Sequence, residues 1–429
     1  MEICTELKIL AHYFEKENSK LYIVGGYTRD SLLGLDNKDI DITSSLDCDK
    51  VINICKQLNI KTVVINKRLG TLQLQATSQT YEYTQFRTES YGDRGVHSPD
   101  NVQFVKSVSE DCLRRDFAIN AIYYCINTEQ FEDPLQGIKD LKRKIIRTCR
   151  TPELTLKDDG LRILRAIRFS STLGFSLEKK TLKALIQFTP LLKKISRERI
   201  LKELEQIVVA DRKLNFSNNN FLTLANKCSL CKYMFNSNLN RMRKFSKQDM
   251  KKFYSLETNS RLIGFYILIL QKYLHGYIGH NQLAYNINML LGVNGLKESK
   301  NNISITEKIY RILQNLNYSQ DLLNASINYL TLSDSERNII DTYISKKAKQ
   351  ILSDNISHIK ANNLPLSIHQ LDITAQDLLD LGIKNMYFSK ILSTLYNQVL
   401  NMCVKNSNED LKNLAKEINE TFLNIKEKL

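Results

Sequence analysis

The sequence predicts an α+β chain, with an N-terminal unit built on a small mixed sheet and a long all-α extension behind it. Three observations predict this. The strand-like runs LYIVGG, DIDIT, KTVVIN, TLQLQAT, YEYTQF and VQFV all fall before about residue 140. Beyond that point apolar residues recur at helical spacing, as in DGLRILRAIRFSSTLGF, LKALIQFTPLLKKI and SRERILKELEQIVV. Only 15 Gly and 5 Pro in 429 residues leave few turns, which favours helices over turn-rich sheets. Residues 2–17 read as an amphipathic helix ahead of the first strand. The polar segment ISHIKANNLPLS, residues 356–367, reads as a link to a last helical domain. A chain of this length exceeds one ordinary core and predicts roughly two to four domains.

Charge narrows the partners. A net charge of +15 and a pI of about 9.2 point to a polyanion: RNA, DNA or an anionic membrane. No apolar stretch reaches spanning length, and the N-terminus MEICTELKIL lacks a signal or transit pattern. A membrane-surface role would call for a basic helix with an aromatic face, and there is no Trp at all. Nine cysteines at irregular spacing in a leaderless chain read as reduced thiols and a cytoplasmic setting. Cys228 and Cys231 have zinc-ligand spacing, but no second pair completes a site.

Chemistry concentrates in residues 21–45, LYIVGGYTRDSLLGLDNKDIDITSS. Gly25 and Gly26 end a strand and open the helical TRDSLLG. Such a pair is either a plain turn or a place where backbone N–H groups approach a phosphate, aided by the helix dipole. Arg29 lies one turn on and can fork onto phosphate oxygens. The stretch is neither G-x-G-x-x-G nor a P-loop. Asp39 and Asp41 stand at i and i+2, which on a strand project from one face. Two carboxylates there are either a solvated loop or a cation site. Beside a phosphate-binding turn the cation reading is favoured, with two Mg2+ ions as the natural occupants.

The order G-G, R-D, D-x-D resembles the head signature of the DNA polymerase β-type nucleotidyltransferases. More narrowly, it is similar to the bacterial-type (class II) tRNA CCA-adding enzymes and the related bacterial poly(A) polymerases. CLRRDFAINAIYY (112–124) resembles their R-R-D-F-T-x-N-A segment, and DPLQGIKDLKRKIIRT (133–148) their D-P-x-G-x-x-D-L turn. DDGLRILRAIRFSSTLGF (158–175) resembles their E-D-x-x-R helix, and SRERILKELEQIV (196–208) their S-x-E-R-I helix. Thr28, Ala118 and Asp158-Asp159-Gly160 stand where Val, Thr and Glu-Asp-Pro are usual. The resemblance covers about residues 21–208; a looser one covers the tail, LPLSIHQLDITAQDLLDLGI (364–383). It implies a catalytic nucleotidyltransferase head at 1–145, a base-recognising neck at 146–208, and a body (209–355) and tail (356–429) that bind tRNA. It implies that Asp39 and Asp41 are the catalytic metal ligands. It also implies that Arg115, Asp116 and Asn120 line the nucleotide's sugar and phosphate, with Arg114 in the same segment. Asp and Asn can bond a ribose 2′-OH, which favours ribonucleotides.

Asp159 and Arg162 are three apart and on one helix would share a face. An aspartate accepts hydrogen bonds and an arginine donates them. Cytosine and adenine each offer an amino donor beside a ring-nitrogen acceptor, so one Asp–Arg pair matches both. Uracil and guanine reverse that polarity and would leave charges unpaired. Arg165 and Arg168 continue the row, and the resemblance places both in the nucleotide region. A helical row at three-residue steps drifts by about 60° each time, so Arg168 is expected to turn away from Asp159, where a structural ion pair is the alternative.

Three features favour CCA addition over poly(A) synthesis. NKRLGTLQLQ (66–75) resembles the K-H-G-T strand of CCA-adding enzymes, with Leu69 for His. FRTESYGDRGVHSPDNVQFV (86–105) resembles their full flexible loop, with Arg87, Asp93 and Arg94 as polar levers. The tail resembles their C-terminal domain. The expected partners are therefore CTP and ATP as substrates and the acceptor and T-arm of tRNA, with neither DNA nor a membrane. A poly(A) polymerase, a partial CC- or A-adding enzyme, or a non-catalytic RNA-binding relative remain as alternatives.

Overall fold

The computed structural model describes residues 3–92, 99–210, 220–235, 239, 242–274, 276–292, 295–296 and 298–427. The chain forms two compact units, Met1–Tyr273 with Ala284–Ile303, and Leu274–Leu283 with Ser304–Leu429.

The first unit opens with helix α1 (Thr5–Lys16), which buries Leu7, Leu10, Ala11 and Phe14 at helical spacing. Strand β1 (Tyr22–Val24) leads into α2 (Gly26–Leu32), then β2 (Asp41–Ser44) and α3 (Cys48–Gln57). The Asp47 side chain caps α3 by accepting from the Lys50 N–H at 2.9 Å. Then come β3 (Lys61–Asn66), β4 (Thr71–Gln75), β5 (Thr80–Gln85), β6 (Arg87–Ser90) and β7 (Asn101–Phe104). Helix α4 (Val108–Arg114) and a 3-10 turn (Ala118–Asn120) precede β8 (Tyr123–Cys125), β9 (Gln130–Glu132), α5 (Gly137–Arg143) and β10 (Ile145–Ile146). After these lie α6 (Pro152–Asp158), α7 (Arg162–Leu173), β11 (Ser176–Leu177), α8 (Lys179–Phe188) and α9 (Arg197–Ala210).

Seven strands form one mixed sheet in the order β3-β4-β5-β2-β1-β8-β9, in which β2 and β5 run parallel and the other pairs antiparallel. Alternation along the strands gives the sheet two cores. Leu21, Ile23, Ile42, Leu72, Leu74, Tyr81 and Tyr83 pack with α1 and α3 on one face. Tyr22, Val24, Tyr123 and Cys125 face the other way and pack with Phe86, Val108 and Cys112. Asp41 and Thr43 point to that second face, opposite buried Ile42. Strands β6 and β7 stand apart as a two-stranded antiparallel ribbon.

The strands read from sequence are present, but β8 and β9 were not foreseen. Tyr123, Tyr124 and Cys125 are all buried, so β8 carries no polar–apolar alternation. Helix α3 was also unread. The segment expected as a linker, residues 356–367, is helical up to Ala361, within the helix Lys346–Ala361.

The second unit is helical throughout its longer part. Leu378, Ile391, Leu395, Leu411 and Ala415 form one of its cores, and capping boxes at Ser333/Glu336 and Thr374/Asp377 start two of its helices. All nine cysteines are free thiols. Burial pushes Cys228 up to about 11 and Cys231 up to about 12, so both are protonated at neutral pH. Among the described residues no helix is long and apolar enough to cross a membrane.

The turn at DPLQG fixes the approach of α5 to the segment that carries Asn120. Asp133 accepts from the N–H groups of Gly137 and Ile138 at 2.7 and 2.9 Å. A Cβ at Gly137 would lie 2.2 Å from the Ala118 carbonyl oxygen and 2.8 Å from Ile122 Cγ1. Replacing Gly137 by Ala should therefore destabilise the protein by about 1–3 kcal/mol through overpacking. Denaturant unfolding of the variant beside the parent protein measures this, and equal midpoints would refute it.

Candidate nucleotide and metal site

Asp41 opens β2, in register with Val24 of β1 and Glu82 of β5. Asp39 lies just before the strand. Both residues reach the surface and both line one cleft of about 800 Å3, in which the Asp41 carboxylate is partly enclosed. Gly25 lies against them with φ +85°, and a Cβ there would come within 3.1 Å of Asp41 Oδ2. The left-handed backbone and the close approach both call for glycine. The mass of protein around Asp41, then the Glu82 carboxylate, push its carboxyl up to about 6, with Asp39 adding to them and Arg115 pulling the other way. A pair of oxygen donors that repel each other suits a hard divalent cation. Among the described residues no group of three or more His, Cys, Asp or Glu side chains is placed to hold a metal. Further ligands would come from phosphate oxygens and water. Glu82 was not singled out from sequence; its signal was a carboxylate on the polar phase of YEYTQF.

Arg29 is nearly buried and turned inward. Its Nε and Nη2 each donate to Asp30 at 2.8 Å, and Nη1 donates to Asn120 Oδ1 at 2.7 Å. The fork expected to face phosphate is thus engaged by Asp30, although the side chain still borders the cleft. Asn120 in turn donates to Asp116 Oδ1 at 3.2 Å, and Arg165 Nε donates to Asp116 Oδ2 at 2.8 Å. Burial would raise the Asp116 pKa, but Arg165, Arg162 and the Asn120 amide hold it below the usual carboxylate range. Glu203 of α9 lies 3.9 Å from Arg165 Nη1 and 3.0 Å from Arg168 Nε. Three guanidinium groups, of Arg29, Arg165 and Arg168, gather round the Phe169 ring at 5.1, 5.4 and 4.7 Å. Arg168 therefore makes the ion pair weighed from sequence, and it also reaches the cleft: the drift expected of the helical row is offset by its long side chain.

Arg114 and Arg115 share one anchor. Asp111 is fully buried and accepts from Arg114 Nε at 2.8 Å, Arg115 Nη2 at 3.0 Å, Tyr123 Oη at 2.6 Å and the Arg87 N–H at 3.1 Å. Burial works against its charge, but the two guanidinium groups overcome this and hold the carboxyl far below the ordinary range. Arg87, expected as a lever in a flexible loop, is instead a buried residue of β6. It donates to Glu89 Oε1 at 2.7 Å and to the Leu69 carbonyl at 2.6 Å, rooting the ribbon. Asp93 and Arg94 lie outside the described residues.

Asp159 and Arg162 also line the cleft, but not as neighbours on one helix. Helix α6 stops at Asp158, and Asp159 is extended, with φ −147° and ψ 107°. Its carboxylate accepts from the Leu161 N–H at 3.0 Å, a local bond that competes with helix. Arg162 opens α7 and donates to the carbonyls of Thr155 at 3.1 Å and Arg114 at 2.7 Å. Four further residues, Arg199, Lys202, Glu203 and Gln206, enter from α9. They stand at i, i+3, i+4 and i+7, a polar stripe opposite Ile200, Leu204, Ile207 and Val208 that the sequence already carried.

A second cleft of about 400 Å3 adjoins the first on the open sheet face, lined by Thr43, Asn66, Thr71, Glu82 and Thr84 among others. The two clefts share Asp41, Leu69, Arg87, Arg114 and Arg115.

A sheet-borne carboxylate pair, a glycine turn and an arginine-lined cleft suit a cation together with a phosphate-bearing ligand. Residues 21–147 match the family described as Poly A polymerase head domain, and residues 174–213 match the probable RNA and SrmB-binding site of polymerase A. The chain is 42% identical to the CCA-adding enzyme of Lactobacillus helveticus over 189 residues, 44% of this chain and 46% of that protein. It is 39% identical to the CCA-adding enzyme of Bacillus velezensis over 208 residues, 48% of this chain and 50% of that protein. The matched part thus spans about half the length of these curated relatives. The fold is similar to that of the Bacillus stearothermophilus CCA-adding enzyme in complex with CTP, with TM-score 0.64, 23% identity and 98% of each chain covered. It is similar to that of the Thermotoga maritima CCA-adding enzyme complexed with tRNA, with TM-score 0.65, 19% identity, and 97% of this chain and 96% of that one covered. Residues 21–147 and 174–213 thus match the domains of that family, and the part of the chain that contains them is similar to CCA-adding enzymes. The oxygen donors at β2 fit a divalent metal, as the match of this head to that family leads one to expect.

The raised Asp41 carboxyl makes a stability prediction. In the unfolded chain it is ionised above roughly pH 4, whereas in the fold it stays protonated up to about 6. The folded state thus holds a proton that the unfolded state releases between those values, and stability falls as pH rises through that window. Asp41→Asn lacks this penalty. Without metal it should melt above the parent protein at pH 7.5, with the gap closing as pH approaches 4. Added Mg2+ should raise the melting temperature of the parent protein only. A pH series of melting curves tests this, and a gap that does not change with pH would disprove it.

Proposed function

We propose that the protein adds C, C and A to the 3′ end of tRNA, using CTP and ATP, with no nucleic-acid template. The observation that carries this reading is that the Asp39–Asp41 pair and the Asp159–Arg162 pair border one cleft. Identity of about 40% to CCA-adding enzymes across that region supports it. Two Mg2+ ions at Asp39 and Asp41 would supply the activation of the attacking hydroxyl and the neutralisation of the leaving pyrophosphate.

The chain's own residues divide the remaining tasks. Asp159 accepts from the amino group of C or A, while Arg162 donates to the adjoining ring nitrogen; U and G present the opposite polarity and are refused. Arg165 and Arg168, with Arg29, Arg114 and Arg115, offset triphosphate charge, and Gly25 and Gly26 keep the backbone close to it. Asp116 and Asn120 face the ribose. The RNA 3′ end occupies the second cleft, where its hydroxyl meets the α-phosphate beside Asp41. Asp93 and Arg94, with the buried Arg87 at the root of the ribbon, serve the change from C to A. The basic helical extension grips the acceptor and T-arm of tRNA through shape and phosphates, in a cytoplasmic setting. The head, neck, body and tail divide at 1–145, 146–208, 209–355 and 356–429.

The test is incubation with Mg2+ and tRNA transcripts ending at the discriminator base, in C, or in CC. Each receives labelled CTP, ATP, UTP or GTP. Two C and one A, followed by arrest, is the expected product. A long A ladder on any RNA would make the protein a poly(A) polymerase, and arrest at CC a partial enzyme. No pyrophosphate release with any RNA would leave a non-catalytic binder.

A further inference from the structure

We infer that Asn37 is a positioning residue for the cation site, because its side chain bridges Asp30 of α2 and the backbone of Asp39 and so sets where Asp39 stands in the cleft. The inference rests on the divalent-cation role proposed above for Asp39 and Asp41, and extends it to a neutral residue that acts through Asp39.

The two carboxylates are held in different ways. Asp41 is part of β2, in register with Val24 of β1 and Glu82 of β5, so two neighbouring strands fix its backbone. Asp39 lies in the stretch 35–40, which is neither helix nor strand. Asn37 supplies what the sheet does not. Its Oδ1 accepts from the Asp39 N–H at 3.0 Å, a side-chain turn of the kind asparagine makes with the backbone two residues on. Its Nδ2 donates to Asp30 Oδ2 at 2.8 Å, seven residues back. The first bond shapes the turn, and the second ties that turn to the cleft wall. Asp30 is buried and is itself clamped by Arg29 Nε and Nη2, each at 2.8 Å. The glycine turn leaves room for the bridge: a Cβ on Gly26 would stand 3.3 Å from Asn37 Nδ2.

The bridge requires an amide. The Asp30 carboxylate, paired with Arg29, offers acceptors, and the Asp39 N–H is a donor. One side chain meets both only with a donor and an acceptor on the same terminus, and this also fixes which end of the Asn37 amide faces which partner. An aspartate at 37 would still accept from Asp39 but would set a carboxylate against that of Asp30. Alanine would release both ends. Asn37 borders the cleft and carries no charge. Its replacement by alanine therefore leaves the electrostatics of the carboxylate pair in place, and a change in cation affinity reports the position of Asp39 instead. Without the bridge the turn is free, and a cation has to order it on binding. Outer partners that orient metal ligands in this way are worth about 10–100-fold in affinity.

The experiment follows the rise in melting temperature of the full chain as Mn2+ is added, with neither RNA nor nucleotide present. The parent protein, Asn37→Ala, Asn37→Ser and Asp41→Asn are compared. Asp41→Asn should show no rise, which marks the rise as a property of the carboxylate pair. In Asn37→Ala the midpoint of the rise should move to about tenfold higher Mn2+ or more. Asn37→Ser keeps an oxygen for the Asp39 N–H but is too short to reach Asp30, so its midpoint should fall between the two. In CTP addition to a tRNA transcript, the Mg2+ needed for half-maximal rate should rise by a similar factor in Asn37→Ala, and the loss should be recovered as Mg2+ is raised. A midpoint equal to that of the parent, or a loss of rate that added Mg2+ does not recover, would overturn the inference while leaving the cation role of Asp39 and Asp41 in place. A parent protein that does not respond to Mn2+, or an equal response in Asp41→Asn, would overturn both. Should Asn37→Ala fail to fold, Asn37→Ser carries the same comparison.

Discussion

A buried charge must be paired, and the cleft of this protein is organised around that constraint. Asp30, Arg29, Asn120, Asp116 and Arg165 form a hydrogen-bonded relay, which Glu203 and Arg168 continue through ion pairs. It starts on α2 of the head, passes through the turn after α4, and ends on α7 and α9. Each member up to Arg165 bonds the next, so these walls of the cleft are positioned together. Low local polarity strengthens such a chain when it is complete and makes it costly when one member is lost. The apolar cores on the two sheet faces hold the layers together, but they are indifferent to small slides of one element past another. The relay is not, because its bonds require donor and acceptor to meet within a few tenths of an ångström.

The same constraint operates at Asp111, which carries two arginines, a tyrosine hydroxyl and the N–H at the root of the ribbon. One fully buried carboxylate thereby fixes two cations at the rim of both clefts. The larger cleft is lined by nine Arg and Lys residues against six Asp and Glu residues, among those described. Part of that positive charge is offset by neighbours, and the remainder favours a polyanionic guest such as a triphosphate. Net charge alone pointed to a polyanion, but the relay shows where the cations are concentrated and why they do not repel the head apart.

Much of this was legible in sequence, for a physical reason. Patterns local to one element were visible: the apolar run of β1 ahead of its glycine pair, the alternation in β5, the helical face of α1, and the i, i+2 spacing of Asp39 and Asp41. Patterns that depend on register between distant segments were not. Glu82 comes beside Asp41 only because β5 pairs with β2, and Asp111 meets Tyr123 and Arg87 only once three elements have packed. β8 escaped because a strand buried on both faces has no alternation to read. The Asp159–Arg162 pair shows a different limit. Its spacing suited one helix, but Asp159 bonds its own backbone and leaves the helix, so the two residues reach the same cleft from separate elements. Arg87 failed in the opposite sense: a polar residue near a loop proved to be a buried strand residue.

The junction of the two clefts is where these threads meet. Guests of the two clefts would meet at that junction, and Asp41 is the one carboxylate among the described lining residues that borders both. Arg114 and Arg115 flank the same junction and are held there by Asp111 rather than by any ligand. A site whose cations are already paired pays little reorganisation when charge shifts from one bound group to another, which is the advantage of preorganised electrostatics over flexible side chains in water. Asp41 has the opposite character: repelled by Asp39 and Glu82 and partly enclosed, it is the least satisfied acceptor at the junction. A fold that pairs its cations so thoroughly and leaves one carboxylate pair in mutual repulsion concentrates its unmet electrostatic demand at a single point, and that demand is for a cation.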